Sequence, residues 1–178
     1  MIYVVRHGQT DLNKEGRLQG RFGESLNEVG IKQAILLRER LGHISFDHVF
    51  SSPQERAVQT AELISKKDAI KDARLDVFDL GEADRLKKEE VKMHGPLPDS
   101  NVYKGIEDIS TFLHRVFNFM KDLESEYCGQ EVNILIAGHL CTTGCMGAFF
   151  NGIPEDKNIL RFSSNNGEYN VYDFSKAK

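Results

Sequence analysis

The feature that most constrains the fold is the alternation, along 178 residues, of short β-branched apolar runs with helix-length amphipathic stretches. Ile2 to Val5 is apolar at every position, as expected of a strand covered on both faces. His48 to Ser51, Leu75 to Phe78 and Val132 to Ala137 read as further strands, and Tyr169 to Phe174 alternates enough to be a final edge strand. Between them, Asn27 caps a helical pattern with Ile31, Ala34, Ile35 and Leu41 on one face, closed by Gly42. Ser52, Pro53 and Glu55 supply an N-cap, a first-turn proline and a capping-box acid for the next helix. The longest helix is expected from about Ile106 to Glu126, with Ile109, Leu113, Val116, Phe117, Met120 and Leu123 as its stripe. Another follows from about Leu140 to Phe150. Strands alternating with helices predict an α/β fold: a three-layer α/β/α sandwich around a mostly parallel central sheet. A single domain over residues 1–178 suits the chain length. The stretch from Asp84 to Lys104 breaks the pattern with the run Lys87, Lys88, Glu89, Glu90 and the pair Pro96, Pro98. It reads as an inserted loop or lid at about 84–105.

Composition matters here for what it excludes. A formal net charge of -4 gives no general attraction for nucleic acid or for an anionic membrane surface, so any anion site must be local. The three cysteines, Cys128, Cys141 and Cys145, form neither an even disulfide set nor a paired CxxC array, which points to a reducing, cytoplasmic setting. Cys141 and Cys145 share a helix face near His139, but buried structural thiols are the commoner reading, and no metal is expected. The apolar run after Met1 meets Arg6 at once, too short for a signal peptide or a membrane span.

The sheet also says where to look for chemistry. Parallel sheets place ligands beyond the carboxyl ends of their strands, and that rule brings Arg6 and His7, at the end of the first strand, to the same edge as His139, at the end of the fourth. Arg56 joins them from the first turn of the helix after Ser52 and Pro53, where free backbone NH groups and the helix dipole favour an anion. Taken singly, each has a plainer explanation: a structural histidine, a surface arginine, a cap, or a turn glycine at Gly8 or Gly138. Together, two guanidinium forks and two imidazoles suit the three oxygens of a phosphoryl group.

On these residues the chain resembles the histidine phosphatase superfamily, also called the phosphoglycerate mutase-like family. Arg6-His7-Gly8-Gln9-Thr10, then Asn13, Arg17, Gln19-Gly20, Leu26-Asn27, Gly30 and Gln33-Ala34 are similar to that family's opening block. Ser51-Ser52-Pro53 with Arg56-Ala57 and Gln59-Thr60-Ala61 resembles its second, and Gly138-His139 in a strand-to-helix turn its third. The resemblance implies the phosphoglycerate mutase-like fold, with His7 as the nucleophile that becomes phosphorylated. It implies that Arg6, Arg56 and His139 bind the transferred phosphoryl group, that Asn13 lines the same pocket, and that His139 belongs to the catalytic set. A general acid is expected from a leucine-any-glutamate context, which Leu80-Gly81-Glu82 matches. The tryptophan-containing segment that often follows is missing, and Asp79 and Asp84 are local alternatives to Glu82. Gly105 with Glu107, and Asn166 with Gly167, resemble looser family features. The expected function is a phosphatase acting on a small phosphorylated metabolite, without metal or other cofactor, as a monomer or homodimer. A cofactor-dependent phosphoglycerate mutase is the alternative, and a non-catalytic phosphate-binding or regulatory protein the second.

Overall fold

The computed structural model describes residues 1–176. In chain order its regular elements are β1 (Ile2–Arg6), α1 (Asp11–Lys14), α2 (Glu28–Arg40), β2 (His48–Ser51), α3 (Glu55–Ser65) and β3 (Ile70–Lys71). They continue with β4 (Met93–His94), β5 (Leu97–Pro98), α4 (Ile109–Tyr127), β6 (Ile134–Gly138), α5 (Leu140–Asn151) and β7 (Tyr169–Tyr172). The central sheet has the order β3-β2-β6-β1-β7; β1, β2, β3 and β6 run parallel and β7 closes one edge antiparallel to β1. This is the mostly parallel α/β architecture that the alternation predicts.

Strand alternation divides the core between the two faces. Ile2, Val4, Ile134 and Ile136 point into a cluster with α4 and α5 that includes Phe112, Val116, Met120 and Met146. Tyr3, Val5, Leu135 and Ala137 point the other way, onto Ala34 and Leu37 of α2 and Ala57 and Ala61 of α3. The strands of the centre are therefore apolar on both sides, and β6 is buried throughout. Helix α2 starts as expected, with the Asn27 side chain accepting from the Gly30 NH.

Two expectations fail locally. Ser52 is not the cap of α3: Gln54 occupies that place without a side-chain hydrogen bond, and Ser52 serves the site described below. Leu75 to Phe78 is not a strand. The third parallel strand is the two-residue β3, after which Asp72 caps a 3-10 turn at Ala73–Leu75. Leu75, Val77 and Phe78 are still buried, which explains the strand-like signal, but among the described residues no strand pairs with this segment. The Arg115 guanidinium donates instead to the carbonyls of Arg74 and Asp76 (2.8 Å each) and Val77 (3.1 Å). Glu107 holds that guanidinium through two contacts, at 2.8 and 2.9 Å, and also accepts from the Asp79 NH. One arginine thus does for this segment what a neighbouring strand does elsewhere.

The insert folds back over the strand ends. Leu18 donates to the Leu86 carbonyl, Arg85 to Leu18 and Lys88 to Gly16, while β4 and β5 pair antiparallel across the Gly95-Pro96 turn, where Gly95 takes a φ of +61°.

Replacing Arg115 with Met strands the half-buried Glu107 carboxylate and removes the guanidinium donor from three carbonyls, of which the Asp76 one keeps only the long contact from Thr142 Oγ1. The expected cost is about 3 kcal/mol of stability, read as a lower urea midpoint at unchanged slope.

Candidate active site

The register of the sheet builds the site. Arg6 pairs with Gly138 and Ser51 with Ala137, so the three parallel strands end level with one another. The His7 NH donates to the Gly138 carbonyl and the Ser52 NH to the Ala137 carbonyl, carrying the alignment one residue past each strand. His7, Ser52 and His139 consequently emerge side by side, each with less than 5 % of its surface exposed. The two imidazole rings lie 5.1 Å apart between centroids.

Each ring is oriented by a specific partner. His7 Nδ1 lies 2.7 Å from the Gly8 carbonyl. A carbonyl only accepts, so Nδ1 carries the proton and Nε2 carries the lone pair. The backbone under His7 is clamped from the far end of the chain: Asn166 Nδ2 donates to the His7 carbonyl at 2.9 Å, and the Gly167 NH to the Arg6 and His7 carbonyls. Gly8 permits close packing against α2, since a Cβ there would stand 2.5 Å from the Gly30 carbonyl oxygen, and its NH donates to Thr60 Oγ1. His139 Nε2 lies 2.8 Å from Ser52 Oγ, which itself accepts from the Gln54 NH. In the neutral tautomer that uses the serine hydroxyl as donor, His139 presents Nδ1–H.

The cations stand beside these rings. Arg6 lines the same cavity as His7, Asn13 and His139. Arg56 is 1 % exposed and does not line it; its guanidinium donates to the Gly20 carbonyl at 3.0 Å and is covered by Gly23, where a Cβ would overlap it. Burial lowers the Arg56 pKa to about 10, opposed by Asp84 and Asp76, so the group is charged at neutral pH. Burial likewise lowers Arg6. Both imidazoles are held well below their ordinary range, first by burial and then by the positive charge of Arg56, with Arg6 adding to it. Burial raises the neighbouring Cys141 thiol to about 11, so the cavity carries no thiolate at neutral pH.

Among the described residues, four buried side-chain polar atoms have no hydrogen-bond partner: Arg6 Nε, Gln19 Nε2, Arg56 Nε and His139 Nδ1. Gln19 is the member that motif reading did not single out as a site residue. Its Oε1 accepts from Thr10 Oγ1 and the Glu24 NH, which leaves its NH2 as donor. A buried donor without an acceptor is costly, and three of the four belong to Arg6, Gln19 and His139, which line one cavity and so favour a ligand rich in acceptor oxygens. Asn13 lines the cavity too, its Oδ1 accepting from the Thr10 NH and from Asn166.

The expected acid is not brought here. Glu82 is exposed, accepting from the Lys104 NH through Oε2, and lies outside the cavity lining. Asp79 and Asp84 are outside it as well; Asp84 accepts from the Gly20 and Phe22 NH groups. Among the described residues, no group of three or more His, Cys, Asp or Glu side chains is placed to hold a metal ion, and no helix is long and apolar enough to cross a membrane.

A family model described as "Histidine phosphatase superfamily (branch 1)" matches residues 2–178. The probable phosphoglycerate mutase GpmB of Cronobacter sakazakii is 30% identical over 167 residues, which span 86% of this chain and 75% of the relative. Phosphoserine phosphatase 1 of Hydrogenobacter thermophilus is 28% identical over 188 residues, spanning 99% of this chain and 88% of the relative. A mycobacterial glucosyl-3-phosphoglycerate phosphatase complexed with VO3 matches with a TM-score of 0.80 at 22% identity, over 94% of this chain and 90% of that one. That structural likeness bears on the fold alone.

Because both imidazoles are depressed in the folded state, the unfolded chain takes up protons first as the pH falls. Their contribution to stability is complete above about pH 6.5 and declines below it, by up to about 1.4 kcal/mol per pH unit for each ring. Urea unfolding of the wild type between pH 7.5 and 5.5 is expected to show this loss, and the double variant H7Q/H139Q a shallower one.

Proposed function

The chain belongs to the histidine phosphatase superfamily of enzymes, and from that premise we propose that it hydrolyses a small phosphomonoester through a phosphohistidine on His7. The observation that carries this reading is the set of buried, unpartnered nitrogens on Arg6, Gln19 and His139, which line one cavity with a ring whose Nε2 holds a lone pair, while the charge of buried Arg56 acts on that ring. A transferring phosphoryl group spreads negative charge over three equatorial oxygens, and fixed donors aimed at those oxygens lower the barrier without reorganising.

In this scheme His7 Nε2 attacks phosphorus, and its low proton affinity keeps it available at neutral pH. Arg6 and His139 Nδ1–H donate to the equatorial oxygens, Asn13 and Gln19 border them, and Arg56 supplies a full positive charge from behind. Ser52 is a positioning residue that fixes which nitrogen His139 offers. Water then adds to the phosphorus and the imidazole leaves. The insert at about 84–105 acts as the lid that selects substrate, since Lys88, Met93, Pro96, Leu97 and Pro98 all line the cavity. The cofactor-dependent mutase is the second reading, favoured by the name of the Cronobacter relative.

Purified protein in chelator is expected to release phosphate from aryl and other phosphomonoesters, and His7→Ala to abolish that release. Arg56→Met should lower kcat by roughly a hundredfold or more at modest change in KM. Conversion of 3-phosphoglycerate to 2-phosphoglycerate that requires a bisphosphate primer and releases no phosphate would establish the mutase instead.

A further inference from the structure

Arg6, His7 and His139 are all held by one short loop. After α5 the chain makes a 3-10 turn at Ile159–Phe162, packed so closely on the helix that a Cβ at Gly144 would stand 2.7 Å from the Ile159 carbonyl oxygen. The residues that follow this turn reach the strand ends. Ser163 Oγ lies 2.7 Å from Thr143 Oγ1, which in turn lies 2.8 Å from the His139 carbonyl oxygen. The Ser164 carbonyl accepts from Arg6 Nη1 at 3.2 Å. Asn166 and Gly167 then clamp the backbone of His7. Ser163, Ser164 and Asn166 thus answer in turn to His139, Arg6 and His7.

The direction of the Ser163–Thr143 bond follows from what its neighbours can do. A carbonyl only accepts, so the Thr143 hydroxyl spends its proton on His139, with Leu140 at the longer 3.2 Å, and Thr143 Oγ1 accepts from the Ser163 hydroxyl. The other acceptor within reach of Ser163 is the Ser164 carbonyl, at 3.4 Å. Loss of the Ser163 hydroxyl therefore unties the loop from α5 and leaves Thr143 with an acceptor of its own. Arg6 is the group with somewhere else to go. It lines the catalytic cavity and also a second pocket, whose wall includes Arg40, Asn170 and Glu168. A guanidinium that borders both a phosphate-binding cavity and a pocket with a carboxylate has two destinations, and here the Ser164 carbonyl holds one arm of its fork.

We infer that Ser163 is a positioning residue: its bond to Thr143 seats the loop so that the Ser164 carbonyl keeps the Arg6 fork turned to the phosphoryl group rather than toward Glu168. The inference rests on the phosphohistidine reading and deepens it, because Arg6 is one of the donors to the equatorial oxygens. Neither Ser163 nor Thr143 lines the catalytic cavity, so both act through the groups they hold. A displacement of about 1 Å at a reacting centre can cost roughly a hundredfold in rate, even from a change far from the chemistry. With the clamp of Asn166 and Gly167 still in place, loss of this one tie is expected to cost about tenfold.

The test measures kcat and KM for an aryl phosphate with Ser163→Ala and Ser163→Thr, and repeats Ser163→Ala in an Arg6→Met background, with His7→Ala as the control. Thermal melts establish that each variant compared is folded; if Ser163→Ala is not, Thr143→Val cuts the same tie from its other end. Ser163→Ala is expected to lower kcat about tenfold with a smaller change in KM. Ser163→Thr, which keeps the hydroxyl, should retain most of the rate, and Ser163→Ala should cost little further once Arg6 is Met. A folded Ser163→Ala with the wild-type kcat overturns the inference and leaves the phosphohistidine reading intact. An equal loss in both Arg6 backgrounds does the same, since it marks the serine as merely structural. Ser163→Thr as slow as Ser163→Ala assigns the loss to packing and also overturns it. Absence of any His7-dependent turnover overturns the phosphohistidine reading, and the inference with it.

Discussion

Two guanidinium groups buried against two imidazoles are tolerable only if the imidazoles are uncharged, and that electrostatic constraint organises the strand ends. Arg56 is buried almost completely, yet its pKa of about 10 leaves it cationic; burial first, and that charge second, exclude the proton from His7 and His139. Protons that the rings do keep are directed by neutral partners, the Gly8 carbonyl and Ser52 Oγ. The cluster is held together by a frame that does not depend on it: the level ends of β1, β2 and β6, the clamp of Asn166 and Gly167 on the His7 backbone, and the approach of Gly8 to Gly30. A rigid frame holding positive charge beside neutral nucleophilic nitrogen is preorganised for an incoming phosphoryl dianion.

What could be read from sequence follows the range of the interactions involved. Strand ends and helix starts are local, so Arg6, His7 and His139 could be assigned to one edge from pattern alone, and the central strands and α2, α4 and α5 fall close to their expected bounds. Leu75 to Phe78 misleads because burial and hydrogen bonding are decoupled there: its side chains are in the core, while an arginine roughly forty residues away serves its carbonyls. Ser52 was legible as a serine before a helix but not as the partner of a histidine 87 positions on. Gln19 sat in plain view within the opening motif, and its polar type beside a glycine was the available signal; only the folded chain reveals its unpartnered nitrogen.

The carboxylates show the same limit in a form that matters for chemistry. Glu82, Asp79 and Asp84 sit in a sequence context suited to proton donation, yet they hydrogen-bond to the NH groups of Lys104, Gly81, Gly20 and Phe22, and Val77, Phe78 and Leu80 of the same segment line the cavity. Spacing along a chain fixes which residues are near one another but not which way a loop turns its side chains. A fold shared with phosphoglycerate mutases and phosphatases therefore leaves the leaving-group chemistry to be settled by a handful of loop contacts.

The most direct test of the central claim is chemical identification of the intermediate. Wild-type protein mixed with an aryl phosphate is quenched in base within one turnover and digested, and the phosphorylated peptide is sequenced by mass spectrometry. The account predicts an acid-labile, base-stable phosphoryl group on His7 that is absent from His7→Ala. Phosphate found on another side chain, or steady turnover with no covalent phosphoprotein at any time, would contradict it.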